Sequence, residues 1–174
     1  MLKRARFSSS AGIALIEALA AMAILAATLL GLLYMQLHTV ADTEGALRRT
    51  QALHLIDDLA ERIRSNPDGV AQLSSYRSGW GAAPAPETDC EKQACGTAQL
   101  ARWDLAQWKT NVARTLPQGD AVVFEPPGAG SGTSPRMLSV LVGWQTRSAD
   151  SFDVTVPGAT CPPGHACQFG QVQP

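Results

Sequence analysis

From Ile13 to Leu37 the chain carries a single charge, Glu17, in an otherwise apolar run with no polar face. As a helix this run is about 37 Å long, against about 30 Å of hydrocarbon in a bilayer, so it is long enough to span one. After Leu37 the pattern changes. In TVADTEGALRRTQALHLIDDLAERIRSNPDG, the residues Leu53, Ile56, Leu59, Ala60 and Ile63 recur at intervals of three and four, which predicts a helix with one buried stripe. Asp42, Arg48, Arg49, Asp57, Asp58, Glu61, Arg62 and Arg64 fall on its other faces. No proline occurs before Pro67, so the two halves are predicted to form one helix of about 50 residues, weakest at Gly31 and Gly45. Asn66-Pro67-Asp68-Gly69 is its stop signal.

Residues 70–98 are rich in Gly, Ser, Ala and Pro and read as an ordered loop. A second helix is predicted in TAQLARWDLAQWKTNVARTLPQG, with Thr97 as N-cap and Leu100, Trp103, Leu105, Trp108, Val112 and Leu116 as its apolar set. Three short strands follow at residues 121–125, 136–145 and 151–156, the first two joined by PPGAGSGTSP. In the middle strand Leu138, Val140, Val142 and Trp144 share one face, expected to cover the polar half of the long helix. The tail TCPPGHACQFGQVQP shows little regular patterning. The fold class is therefore α+β.

With 14 Lys and Arg against 15 Asp and Glu, the net charge of -1 offers no basic groove for nucleic acid. Basic charge is concentrated at Lys3, Arg4 and Arg6, before the apolar run. That placement keeps the amino-terminal side cytoplasmic and puts the remainder of the chain on the outer side. The four cysteines all lie beyond the apolar run, where an oxidising compartment favours disulfides. Cys90 with Cys95 and Cys161 with Cys167 are the preferred pairs, because each sits in a Gly/Pro-rich loop; two crossed connectivities and a tetrahedral zinc site are the alternatives.

Candidate chemistry is sparse. His38, His54 and His165 form no spaced ligand cluster. GAGSGTS lacks the lysine of a phosphate-binding loop, and neither Ser131 nor Ser151 has a nucleophile-elbow context. Asp57, Asp58 and Glu61 read as a solvated helix face beside Arg62 and Arg64. Trp80, Trp103, Trp108 and Trp144 read as packing rather than as a ligand groove. The chain is read as a non-enzyme, with no catalytic residue, cofactor or metal.

The stretch Gly12-Ile13-Ala14-Leu15-Ile16-Glu17 resembles the cleavage signal of type IV prepilins and pseudopilins, in which a basic leader ends in glycine and glutamate is the fifth mature residue. Ile13 and Ala14 stand where phenylalanine and threonine are usual. The segments RTQALHLIDDLAERIRSNPDG, AQLARWDLAQWKTNVARTLPQGD and VLVGWQ extend the resemblance over almost the whole chain, to the type IV pilus modification protein PilV group of minor pilins. The resemblance implies a type IV pilin-like fold, a long helix packed on a small antiparallel sheet. It divides the chain into a cleaved leader (1–12), a membrane and filament-core half of the helix (13–37), an amphipathic half (38–66) and a periplasmic globular domain (67–174).

It further implies cleavage by prepilin peptidase between Gly12 and Ile13, N-methylation of Ile13, and pairing of Glu17 with the amino terminus of a neighbouring subunit. Such pairing would recover much of the cost of a carboxylate in an apolar bundle. A small-residue face at Ala18, Ala21 and Ala26 would let helices approach closely. The implied partners are prepilin peptidase, other minor pilins, the major pilin, the inner-membrane assembly platform and membrane lipid, with no nucleic acid. The protein would start as a single-pass inner-membrane subunit and move to the pilus or its tip, serving assembly, adhesion and twitching motility. A type II secretion pseudopilin is the nearest alternative reading; a membrane-anchored periplasmic binding module or enzyme is the alternative from another class.

Overall fold

The computed structural model describes residues 11–83, 85–128, 136–146 and 154–173, with side chains from residue 15 onward except at position 41. The basic leader residues Lys3, Arg4 and Arg6, most of the GAGSGTS loop and residues 151–153 of the third expected strand lie outside them. The first helix, α1, runs without interruption over Ala11–Ser65, 55 residues, as the missing prolines predict. The chain divides into two units, Met1–Ala46 and Leu47–Pro174. In the first, described residues from Leu15 onward are exposed on every side of the helix.

The second unit is built on a three-stranded antiparallel sheet of β1 (Asp120–Phe124), β2 (Leu138–Gln145) and β5 (His165–Val172), in the order β1-β2-β5. Val122 pairs with Leu141, and Leu138 with Val172. One face of β2, with Leu138, Val140, Val142 and Trp144, packs with Ala52, Leu55, Ile56, Leu59 and Ile63 of α1 and with Leu105, Trp108 and Val112 of helix α2 (Thr97–Thr115). This is the covering face expected from the alternation in the strand. Because α1 approaches so closely, Gly170 of β5 leaves little room for a side chain: a Cβ there would lie 3.0 Å from two carbons of Ile56, which would have to give way. The opposite face carries a smaller apolar layer, Val122, Phe124 and Leu141, flanked by Trp80, Val156 and Phe169.

The fold class holds: a long amino-terminal helix, a small antiparallel sheet and two disulfides give the type IV pilin-like α+β arrangement. Three details differ from the sequence expectation. The third strand of the sheet is the tail, His165–Val172, rather than the segment expected at 151–156. Of that segment's described residues, 154–156, Thr155–Val156 (β3) forms a strand, which pairs with Ala159–Thr160 (β4) in a separate hairpin. The hairpin turns at Pro157-Gly158, where glycine supplies the φ of +107° that a turn with proline before it requires. Leu53, expected in the buried stripe, is 46 % exposed at its margin, while Ala52 and Leu55 are buried. The N-cap of α2 is Gly96 rather than Thr97; its N–H donates to the Gln99 side chain at 3.0 Å, one half of a capping box. The loop of residues 70–98 also contains a short 3-10 turn, Leu73–Tyr76.

Candidate functional site: an uncovered apolar helix and the clamps of the folded unit

The residues to which the sequence assigns processing and assembly lie on the first unit. Gly12 and Ile13 fall in the first turn of α1, where only the backbone is described. Glu17 stands exposed one turn further on. Around and beyond it Leu15, Ile16, Leu19, Met22, Ile24 and Leu25 are all more than half exposed. At 100° per residue these positions encircle the helix, so there is no single apolar stripe of the kind that docks into one groove. An 18-residue window of this helix has a mean hydropathy of 2.2 with none of it buried, long and apolar enough to cross a membrane. The Thr28 hydroxyl donates to the Leu25 carbonyl at 2.8 Å, which satisfies it within the helix as an apolar surrounding demands. Chemically this surface offers burial of apolar area and one carboxylate. It brings together no nucleophile, base and oxyanion donor.

The folded unit is held by three devices. Cys90 pairs with Cys95 and Cys161 with Cys167, at Cα separations of 5.5 and 6.0 Å, the preferred connectivity. Every cysteine sulfur is thereby committed to another sulfur.

A second device was not legible as a site in the sequence. Buried Lys109 of α2 donates from Nζ to the Gly79 carbonyl at 2.7 Å and to the Gly81 carbonyl, and lies 3.2 Å from Asp120 Oδ1 at the start of β1. Burial lowers its pKa, and the Asp120 charge opposes that shift. All three ammonium donors have an acceptor, which is what makes a buried lysine tolerable. One lysine thus ties loop, helix and strand together. Above it, Ser78 exchanges two backbone hydrogen bonds with Val123, at 3.0 and 2.9 Å, and Trp80 packs over Gly143.

The third is a polar chain at the carboxy-terminal end of α1. Arg62 donates from Nε to both oxygens of Asp58 at 3.2 Å and holds Nη1 3.7 Å from Asp104 of α2. The Tyr76 hydroxyl donates to Asp104 at 3.4 Å and accepts from Asn66, whose amide also donates to the Thr97 carbonyl at 2.9 Å. Burial raises the Asp104 carboxyl above its ordinary value against the pull of Arg62. Burial, with the Asp104 charge adding to it, pushes the Tyr76 hydroxyl up to about 12. Asp104 and Lys109 were missed because they flank the buried stripe of α2, where a pattern of apolar spacing does not register polar groups. Their adjacency to Leu105 and Trp108 was the available signal.

The other singled-out residues are structural. Arg64 pairs with Glu61 at 2.6 Å, the solvated helix face anticipated. Trp108 and Trp144 are core, and Trp80 and Trp103 are half-buried. His38 makes an edge contact with Tyr34, His54 is exposed, and a ring nitrogen of His165 lies 3.1 Å from the Pro163 carbonyl.

Compared with known proteins, the chain matches no curated sequence and no solved structure. Residues 34–106, from the end of the apolar run through the Cys90–Cys95 loop into α2, match the Tt1218-like family model, described as type IV pilin Tt1218. With one uncovered apolar helix, a small antiparallel sheet and two disulfides, that match supports a type IV pilin, a family that implies a structural subunit associated with a membrane and with other pilins.

Proposed function

We propose that this chain is a minor pilin: a subunit that inserts in the inner membrane through α1, is cut by prepilin peptidase between Gly12 and Ile13, and joins other minor pilins and the major pilin in a priming or tip complex. The observation that carries the reading is the uncovered apolar helix whose only carboxylate, among the described residues from Leu15 to Leu37, is Glu17. An ordinary anchor has no use for that charge, whereas in a helix bundle it meets the ammonium that cleavage creates on a neighbouring Ile13. Methylation of Ile13 and roles in adhesion and twitching motility belong to the same reading, which also places the subunit on the inner-membrane assembly platform before it enters the filament.

The test is the mass and amino-terminal sequence of the protein recovered from cells with and without prepilin peptidase. A chain beginning at N-methylated Ile13 only when the peptidase is present is the expected result. A chain beginning at Met1 in both would make α1 a plain anchor and defeat the proposal. Pilus loss rather than secretion loss in a deletion strain separates the minor pilin from a secretion pseudopilin.

A further inference from the structure

The apolar helix does not end abruptly, and its last turns carry the groups that mark a membrane boundary. Tyr34 and His38, one turn apart, form an edge-to-face pair with ring centroids 4.6 Å apart, and Tyr34 is 65 % exposed. On the amino-terminal side, large apolar residues are exposed at nearly every turn from Leu15 to Leu33. On the other side Gln36, His38, Thr39, Asp42, Thr43 and Glu44 follow within ten positions of Tyr34; exposed Met35 and Leu37 lie among them, and beyond Leu37 the exposed apolar residues thin out to Val40, Leu47 and Leu53. The Thr39 hydroxyl donates back to the Met35 carbonyl at 2.9 Å. An aromatic ring with a polar tip is favoured where hydrocarbon gives way to headgroups.

We infer that the Tyr34–His38 pair is a lipid-headgroup anchor that fixes the depth of α1 at the outer face of the bilayer. The inference rests on the membrane-inserted reading above and adds its register. Counting back about 30 Å of hydrocarbon at 1.5 Å per residue from Tyr34 reaches Ala14. Glu17 then lies about 4 to 5 Å inside the inner boundary, not at the bilayer centre. At that depth a flexible carboxylate reaches the headgroup layer, as charged side chains near helix ends do. The lone charge is thus held at low cost while the subunit waits in the membrane, at the level where the amino termini of neighbouring subunits also lie. The occupant of this surface is lipid: the apolar residues surround the helix, whereas a protein groove would leave one side polar.

The experiment uses the full chain in phosphatidylethanolamine and phosphatidylglycerol vesicles containing lipids brominated at different chain depths. Tryptophan is introduced by Y34W or L25W, and the signal of the four native tryptophans is subtracted with the unsubstituted chain. L25W should be quenched best by bromines near the bilayer centre and Y34W best by those nearest the headgroups. In a third chain, Y34L and H38L combined with L25W should move the quenching maximum of position 25 by about 3 to 6 Å, two to four residues of rise, as the apolar run, lengthened at its outer end, slides inward or tilts. Strongest quenching of Y34W at the bilayer centre, or an L25W profile unmoved by loss of the pair, overturns the anchor. Absence of quenching of L25W by any brominated lipid would instead overturn membrane insertion itself.

Discussion

The indole N–H of Trp108 donates to the main-chain carbonyl of Leu55 at 2.6 Å, so the second helix is bonded to the backbone of the first from within the core. Trp108 is fully buried, and its neighbours Leu105 and Val112 complete the contact. Trp108→Phe keeps most of the ring and removes the donor; a loss of about 1 to 2 kcal/mol is expected, rising to about 3 to 5 for Trp108→Ala. Denaturant unfolding in detergent measures both, with the midpoint falling and the slope unchanged. A neutral Trp108→Phe would show that packing alone joins the helices.

Gly170→Ala is expected to destabilise by about 1 to 3 kcal/mol, because the new methyl meets Ile56 at 3.0 Å on the tightly packed inner face of β5. Ile56→Val removes one of the opposing carbons. Combined with Gly170→Ala it should recover part of the loss, and the non-additivity of the double-mutant cycle is the readout.

Tyr76 makes stability depend on alkaline pH. Its hydroxyl is pushed up to about 12 from an ordinary 10, so between these values the folded chain holds a proton that the unfolded chain has lost. Its contribution is complete below pH 10 and is lost as pH rises through about 12, amounting to roughly 3 kcal/mol at about 1.4 per pK unit. Tyr76→Phe should flatten the fall in melting temperature over this window. The tyrosinate absorbance of Tyr76, read as the difference between the unsubstituted chain and Tyr76→Phe, should develop near pH 12; development near 10 would count against burial of the Tyr76–Asp104 contact.

The two disulfides close loops of similar size, with sequence separations of 5 and 6, so chain entropy gives each about 2 kcal/mol. Their surroundings differ. Cys161 is 5 % exposed and Cys167 packs beside Trp80 and Gly143, whereas Cys90 and Cys95 lie in a loop at the surface. Replacing Cys161 and Cys167 together by alanine should therefore lower the melting temperature more than replacing Cys90 and Cys95. Equal losses would mean that the outer apolar layer does not depend on the pair.

Glu17→Ala should leave a processed, membrane-inserted and folded subunit that fails to enter filaments. Cell fractionation and immunogold labelling of sheared filaments distinguish the two pools. Normal incorporation would remove Glu17 from assembly.

Both helices, the cysteine pairing and two strands of the sheet follow from apolar spacing and loop chemistry. The third strand escaped for a physical reason. Its inner face reads Ala166, Gln168, Gly170 and Val172, pairing with Trp144, Val142, Val140 and Leu138 of β2, and Gly170 must stay small to admit Ile56 of α1. Close packing thus erased the alternation that would have revealed the strand. In the segment expected to supply that strand, Thr155–Val156 forms β3, and Val154 and Val156 pack against the outer layer of the sheet. Of the assigned residues, the cysteines were legible through local spacing; the roles proposed for Gly12, Ile13 and Glu17 rest on a linear motif. Lys109, Asp120, Tyr76 and Asp104 were not, because each has a partner far away in the chain, 28 positions for Tyr76 and Asp104, 30 for Lys109 and Gly79, and 39 for Asp120 and Gly81.

Lys109 grips the surface segment through the carbonyl oxygens of Gly79 and Gly81, which every amino acid possesses, and not through side chains. The anchor point therefore places no demand on the side chains that follow it. Before the Cys90–Cys95 bridge, by contrast, side chains are committed, Thr88 accepting from Gln99 of α2 and Asp89 pairing with Lys92, so substitution there reaches α2 and the bridge loop rather than the lysine clamp.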